Sequence, residues 1–154
     1  MRRELYAATA SPEYMELVRC RRIDHRVRGY RPPQSALSLG IHEQHLAHFN
    51  FEWLASSVSS LGFDNPRLEG GVVKIPVHID DYELFRGRSY DDWERTVLEL
   101  AGNRRLTVVS LHDCYARYWI DRYGELLRRL GELGAFRTLD EVADDVLRSS
   151  TRWI

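Results

Sequence analysis

Cysteine is scarce in this chain, lysine scarcer still, and no long apolar run occurs. Two cysteines, Cys20 and Cys114, are too few for a disulfide framework, and no Cys-x-x-Cys pair signals zinc or redox work. The apolar runs fall far short of the ~20 residues a membrane-spanning helix needs. Met1-Arg2-Arg3 is basic but leads into no apolar stretch, so no signal peptide is expected and the reading is of a cytoplasmic, reduced protein. An excess of one charge is also missing. The 22 Lys and Arg face 23 Asp and Glu, for a net charge of -1. That steers the chain toward neither nucleic acid nor an anionic membrane. Lys74 is the only lysine, a bias that a GC-rich genome explains without any functional role.

What is present is ordinary for a globular protein: 154 residues, 44% hydrophobic and 29% charged. That is the size of one domain, with enough chain to bury a core. Arg2 to Arg21 reads as a helix started afresh at Ser11-Pro12, where Pro12 suits the first helical position. Val27 to Tyr30 reads as a brief strand stopped by Pro32-Pro33, Leu39 to Phe49 as a short helix, and Phe51 to Val58 as a strand. The alternation of Phe49, Phe51 and Trp53 predicts one shared buried face. Asn65-Pro66 and Gly70-Gly71 read as loop punctuation before Val72–Ile79, the clearest β-branched run, in which Pro76 predicts irregularity or an edge position. Ser89 and Asp92 form a capping pattern ahead of a helix carrying Trp93, Val97 and Leu100. Leu106 to Leu111 reads as a strand. A helical stripe then runs from Trp119 to Leu133, and Thr138 and Glu141 cap a last helix. Strands alternating with helices predict an α/β fold, mostly parallel strands with outer helices.

Three polar clusters each follow a predicted strand, which is where α/β folds collect their chemistry. His112-Asp113 follows Leu106–Leu111, and a histidine there can exchange a proton near neutral pH. Asp80-Asp81 follows Val72–Ile79. Adjacent carboxylates on extended chain point to opposite sides, so one can face His112 and hold its ring. Arg31 follows Val27–Tyr30, and its guanidinium, on backbone stiffened by Pro32-Pro33, could grip a carboxylate.

The order and spacing of these clusters resemble the last three motifs of the polysaccharide deacetylases, the NodB-homology domain of carbohydrate esterase family four. Arg31-Pro32-Pro33 resembles the arginine–proline motif, whose arginine orients an aspartate base. His78-Ile79-Asp80-Asp81-Tyr82 resembles the Asp-x-x-Asp-Trp motif, with Asp81 as the tuner of the catalytic histidine and Tyr82 as the aromatic lining the sugar groove. Ser110-Leu111-His112 resembles the Leu-x-His motif, whose histidine is the general acid. The resemblance implies catalytic roles for His112, Asp81 and Arg31, and substrate contacts at Tyr82, Asp80 and Pro32. It implies a partial (β/α) barrel of the deacetylase type and hydrolysis of an N-acetyl group on a carbohydrate, with a divalent, zinc-like metal.

Departures from the pattern are also present. His78, Tyr82 and Ser110 replace the usual aspartate, tryptophan and leucine, and no Thr-Phe-Asp-Asp base motif occurs. Of the expected histidine pair before Arg31, only His25 is found, so the metal ligands are not identified in this chain. His42 and His45, three apart on a predicted helix, are an alternative metal pair, with His48 a less favourable third ligand because the helix turns it away. The expected protein is therefore the C-terminal half of a deacetylase-like domain, truncated and weak or inactive by itself. Its open sheet edge would favour a partner chain or self-association. The rival expectation is a decayed, non-catalytic module that binds carbohydrate or a protein partner.

Overall fold

The computed structural model describes residues 12–35 and 45–151. In chain order these form α1 (Pro12–Ile23), β1 (Gly29–Tyr30), β2 (Trp53–Ser57), α2 (Val58–Leu61), β3 (Arg67–Glu69), β4 (Val72–Val77), β5 (Ile79–Asp80), α3 (Tyr82–Phe85), α4 (Tyr90–Asn103), β6 (Val109–Ser110), α5 (Tyr123–Leu133) and α6 (Leu139–Thr151). The chain is mixed α/β with a mostly parallel sheet. β1, β2 and β4 run parallel in the order β1-β2-β4, and β3 closes onto β4 antiparallel. β5 prolongs β4 after an interruption at His78 and pairs in parallel with β6. No closed barrel occurs among the described residues.

The two-residue period of the strands divides the core. Ala55 of β2 and Val73, Ile75 and Val77 of β4 face one way and pack against Val142 and Ala143 of α6. Leu54 and Val72 face the other way, against Leu17 of α1, Leu46 and Phe51. A third cluster joins Ile79 to Trp93 and Val97 of α4 and Leu126 of α5. Trp93 is fully buried and its indole donates to Asp80 O at 2.9 Å, so α4 is fastened to the end of β5 by area and by a directed bond.

Both predicted caps form. Ser89 Oγ accepts from Asp92 N at 3.2 Å at the start of α4. At α6, Thr138 Oγ1 accepts from Glu141 N at 3.2 Å while Glu141 Oε2 accepts from Thr138 N at 2.7 Å, a reciprocal box. Four expectations need correction. The Gly70-Gly71 loop is the turn of a β-hairpin, and Arg67–Glu69 is a strand. Both glycines have positive φ, which a two-residue hairpin turn requires. Phe51 and Trp53 do not share a face: Phe51 lies before β2 in the α1-side cluster, whereas Trp53 packs with α6. Trp119 is outside the helix, because 113–118 and 120–122 are 3-10 turns and α5 starts at Tyr123. Pro76 lies in a buried strand between β2 and β3 and not at an edge, while the irregularity its presence predicts is the break at His78, two residues on. Val73 N donates toward β2, so by alternation the missing N–H of Pro76 faces the opposite side, between the stretches paired with β3 and with β6. No ladder bond to β2 is lost.

The β1–β2 register sets Gly29 opposite Trp53, whose ring covers it while Trp53 Nε1 donates to Asp140 Oδ1 at 2.6 Å. A Cβ on Gly29 would lie 1.8 Å from that ring. Gly29→Ala is therefore expected to destabilise the fold by at least ~1–3 kcal/mol, the usual range for overpacking. Denaturant titration measures this, and pairing it with Trp53→Leu should recover part of the loss. An unchanged midpoint for Gly29→Ala would show that the ring does not sit there.

Candidate acid–base site

β5 and β6 end side by side, so the residues that follow them leave at the same edge of the sheet, a favoured position for chemistry in parallel α/β structures. Asp81 turns out of β5 with its amide donating to Ser110 O at 3.2 Å. His112 leaves β6 in extended conformation. The Asp81 side chain is completely buried and is met by three donors. Its Oδ2 accepts from His112 N at 2.7 Å and from Trp119 Nε1 at 2.8 Å, and its Oδ1 lies 2.5 Å from His112 Nδ1.

A carboxylate can only accept, so Nδ1 carries the proton and Nε2 is left for exchange. The His112 side chain is 37% exposed, so the pair has a sealed end and an open one. The arrangement can hold an imidazole in one tautomer and orientation while it takes up or releases a proton.

The other expected site residues gather near this pair with different contacts. Asp80 Oδ1 accepts from Tyr82 N at 3.1 Å, so Asp80 shapes the turn. Tyr82 is 43% exposed and groups with Phe85 and Tyr115, at centroid distances of 5.7 and 5.9 Å. Tyr115 also stands edge-on to the His112 ring at 5.8 Å. Pro32 is buried. Arg31 does reach this edge, where Nη1 donates to the Ser110 hydroxyl. The expected carboxylate for its guanidinium is not found among the described residues, since the base motif that would supply one is missing from the sequence.

Of the alternative metal pair, His42 lies outside the described residues, and His45 is buried. His48 is exposed and packs edge-on to Phe49 at 4.9 Å. No group of three or more His, Cys, Asp or Glu side chains converges on one point among the described residues. Trp119, Tyr115 and Phe85 are neighbours of these residues that the sequence reading missed. A hint for Trp119 was available: a tryptophan among apolar neighbours still needs an acceptor for its N–H.

His78 has a structural role. Its Nδ1 accepts from Val108 N at 3.0 Å, which leaves the proton on Nε2, 3.0 Å from Asp64 O. The ring thus bridges the β4–β5 break to the chain entering β6. Burial pushes its pKa below the ordinary histidine value; the hydrogen bond to the Asp64 carbonyl opposes this, and the Arg104 cation adds a lesser push downward.

No family model, curated protein or solved structure matches this chain.

Two outcomes are expected. Asp81→Asn replaces one of the two accepting oxygens with a donor N–H₂ and removes the charge, and should cost about 2–4 kcal/mol for broken buried, charge-assisted bonds. Chemical denaturation gives the cost. Imidazole nitrogen NMR should show His112 losing its fixed Nδ1–H tautomer, and retention of that tautomer would refute the assignment. For His78 the unfolded chain binds a proton near pH ~6.5 while the folded chain resists it until lower pH. Stability is then full above that pH and falls as pH drops through it. His78→Gln should flatten this part of the stability profile, and equal slopes between pH 7.5 and 5.5 for both proteins would exclude the effect.

Proposed function

We propose that the chain is the C-terminal part of a carbohydrate deacetylase-like domain of the polysaccharide deacetylase type, built as a partial (β/α) barrel. In it His112 is the proton-transfer residue of N-acetyl hydrolysis, and Asp81 positions its ring. The observation that carries the reading is the fully buried Asp81 carboxylate bound to Nδ1 of a half-open His112 at adjacent strand ends. In this reading Nε2 delivers a proton to the leaving amine nitrogen as the carbon–nitrogen bond breaks. Tyr82 offers an exposed aromatic surface next to the reacting group, suited to the apolar face of a sugar.

Arg31 waits beside Ser110 for a carboxylate. The aspartate base, and the ligands of the divalent metal that the resemblance implies, would come from outside the described residues. A partner chain is one source.

The second reading is a carbohydrate-binding module without turnover. It is favoured by the exposed Tyr82 ring, grouped with Phe85 and Tyr115.

The test is acetate release from N-acetylated chito-oligosaccharides with added zinc or cobalt, alongside binding of the same oligosaccharides. Slow turnover is expected. It should fall by ~10²-fold or more in His112→Ala, the usual weight of a positioned acid or base. Turnover indifferent to His112→Ala would overturn the hydrolytic role. Saturable binding without acetate release would establish the module instead.

A further inference from the structure

Asp81 is a fully buried carboxylate, and no arginine or lysine pairs with it among the described residues. The one cation it can meet is the His112 ring itself. Its other two donors, His112 N and Trp119 Nε1, are neutral, and both bonds fall on Oδ2, at 2.7 and 2.8 Å. Oδ1 is left to Nδ1 of the ring at 2.5 Å. The charge of this carboxylate is thus divided between fixed neutral donors on one oxygen and a titratable ring on the other.

Trp119 is tied into this position from both sides. It lies between two 3-10 turns, with its N–H donating to Ala116 O at 3.0 Å and its carbonyl accepting from Arg122 N at 3.1 Å. The indole packs against the cluster of Ile79, Trp93 and Leu126 and meets the Tyr123 ring at a centroid distance of 5.3 Å. With backbone and bicycle both held, the indole N–H has little freedom to leave Asp81. A hydrogen bond to a buried charge is stronger than one between neutral groups. Without that donor, more of the carboxylate charge is left for the imidazolium to neutralise.

We propose that Trp119 is a positioning residue that acts on His112 through Asp81, holding the carboxylate by Oδ2 and limiting how tightly the pair keeps its proton. The inference rests on the reading of His112 as the proton-transfer residue. An acid that keeps its proton too tightly delivers it slowly, and one that keeps it too weakly arrives without it. A neutral indole donor weakens the pull of Asp81 on the ring proton while adding no charge of its own. A guanidinium in the same place would cancel the carboxylate and leave the imidazolium unsupported.

The experiment places benzothienylalanine at position 119 of the whole chain, which exchanges the indole N–H for sulfur and keeps the bicycle. Imidazole nitrogen NMR then follows His112 against pH. The pair should hold its proton to higher pH by ~0.5–1 unit, roughly a three- to tenfold rise in proton affinity for one donor lost from a buried charge. Trp119→Phe, which also lacks the N–H, should move the midpoint in the same direction. The other titratable groups flanking the ring are Asp80, Tyr82, Asp113, Cys114, Tyr115 and Arg31, and none is altered. The same exchange at Trp93 is the control, because that buried indole donates to the Asp80 carbonyl and not to the pair. It should leave the midpoint in place. In acetate release, the limb on which turnover declines with rising pH should move upward with the midpoint. An unmoved or lowered midpoint in a benzothienylalanine protein shown to be folded by circular dichroism would overturn the proposal, as would an equal shift at Trp93. A raised midpoint in a protein that releases no acetate would uphold the action of Trp119 on the pair and count against the hydrolytic reading alone.

Discussion

A carboxylate removed from water is stable only where donors replace its hydration, and the end of β5 is organised around that requirement. Asp81 is fully buried and receives the backbone N–H of His112, the ring of His112 and the indole of Trp119. Each donor comes from chain beyond β6, so satisfying one charge fixes the path of residues 112–119 against β5. Between and just after these donors the chain winds as tight 3-10 turns, 113–118 and 120–122, ahead of α5. A regular α-helix begun at 113 would present residues on a 3.6-residue period. The segment must instead deliver His112 and Trp119 to one buried acceptor.

Asp81 also determines what His112 can do. Holding Nδ1 with a carboxylate leaves one nitrogen for exchange, and the exposure of the ring gives that nitrogen access to a ligand. Asp80, one residue earlier, is turned to the backbone of Tyr82. Two neighbouring carboxylates thus have separate duties because successive residues at a strand end point in different directions. Arg31 approaches from β1 and meets Ser110, so three strand ends contribute to one edge of the sheet.

Much of this was legible in the sequence, for identifiable reasons. The caps at Ser89 and Thr138 were readable because their chemistry is local: a hydroxyl and an acid three residues apart satisfy each other wherever they start a helix. The Asp81–His112 pairing was readable from position alone, since both follow β-rich runs and parallel strands end together. The strand Arg67–Glu69 was not readable. Its three residues are all exposed and carry no alternation, and only the pairing to Val72–Lys74 makes it a strand. The Trp119 role was hidden by a real signal, because the apolar stripe of α5 extrapolates back to residue 119 with the correct spacing. Nothing local announces that the backbone has changed its winding before Tyr123. For Arg31 the sequence suggested a carboxylate partner, and the structure supplies a hydroxyl, because a partner's identity depends on which strand lies alongside.

The exposed edges bear on how this chain would meet another. An open edge strand invites pairing in proportion to the backbone groups it offers. β1 and β6 are two residues each, and β3 is three residues with Arg67 and Glu69 among them. Edges this short offer few ladder bonds, and charged side chains oppose sheet-to-sheet growth. Exposed apolar side chains stand elsewhere: Leu133 and Phe136 at and just beyond the end of α5, and Tyr82 and Phe85 grouped with Tyr115, which stands beside His112. Association driven by apolar area scales with the surface removed from water, which strands of two or three residues do not supply. Extension of the sheet is therefore a weak route to a partner for this chain.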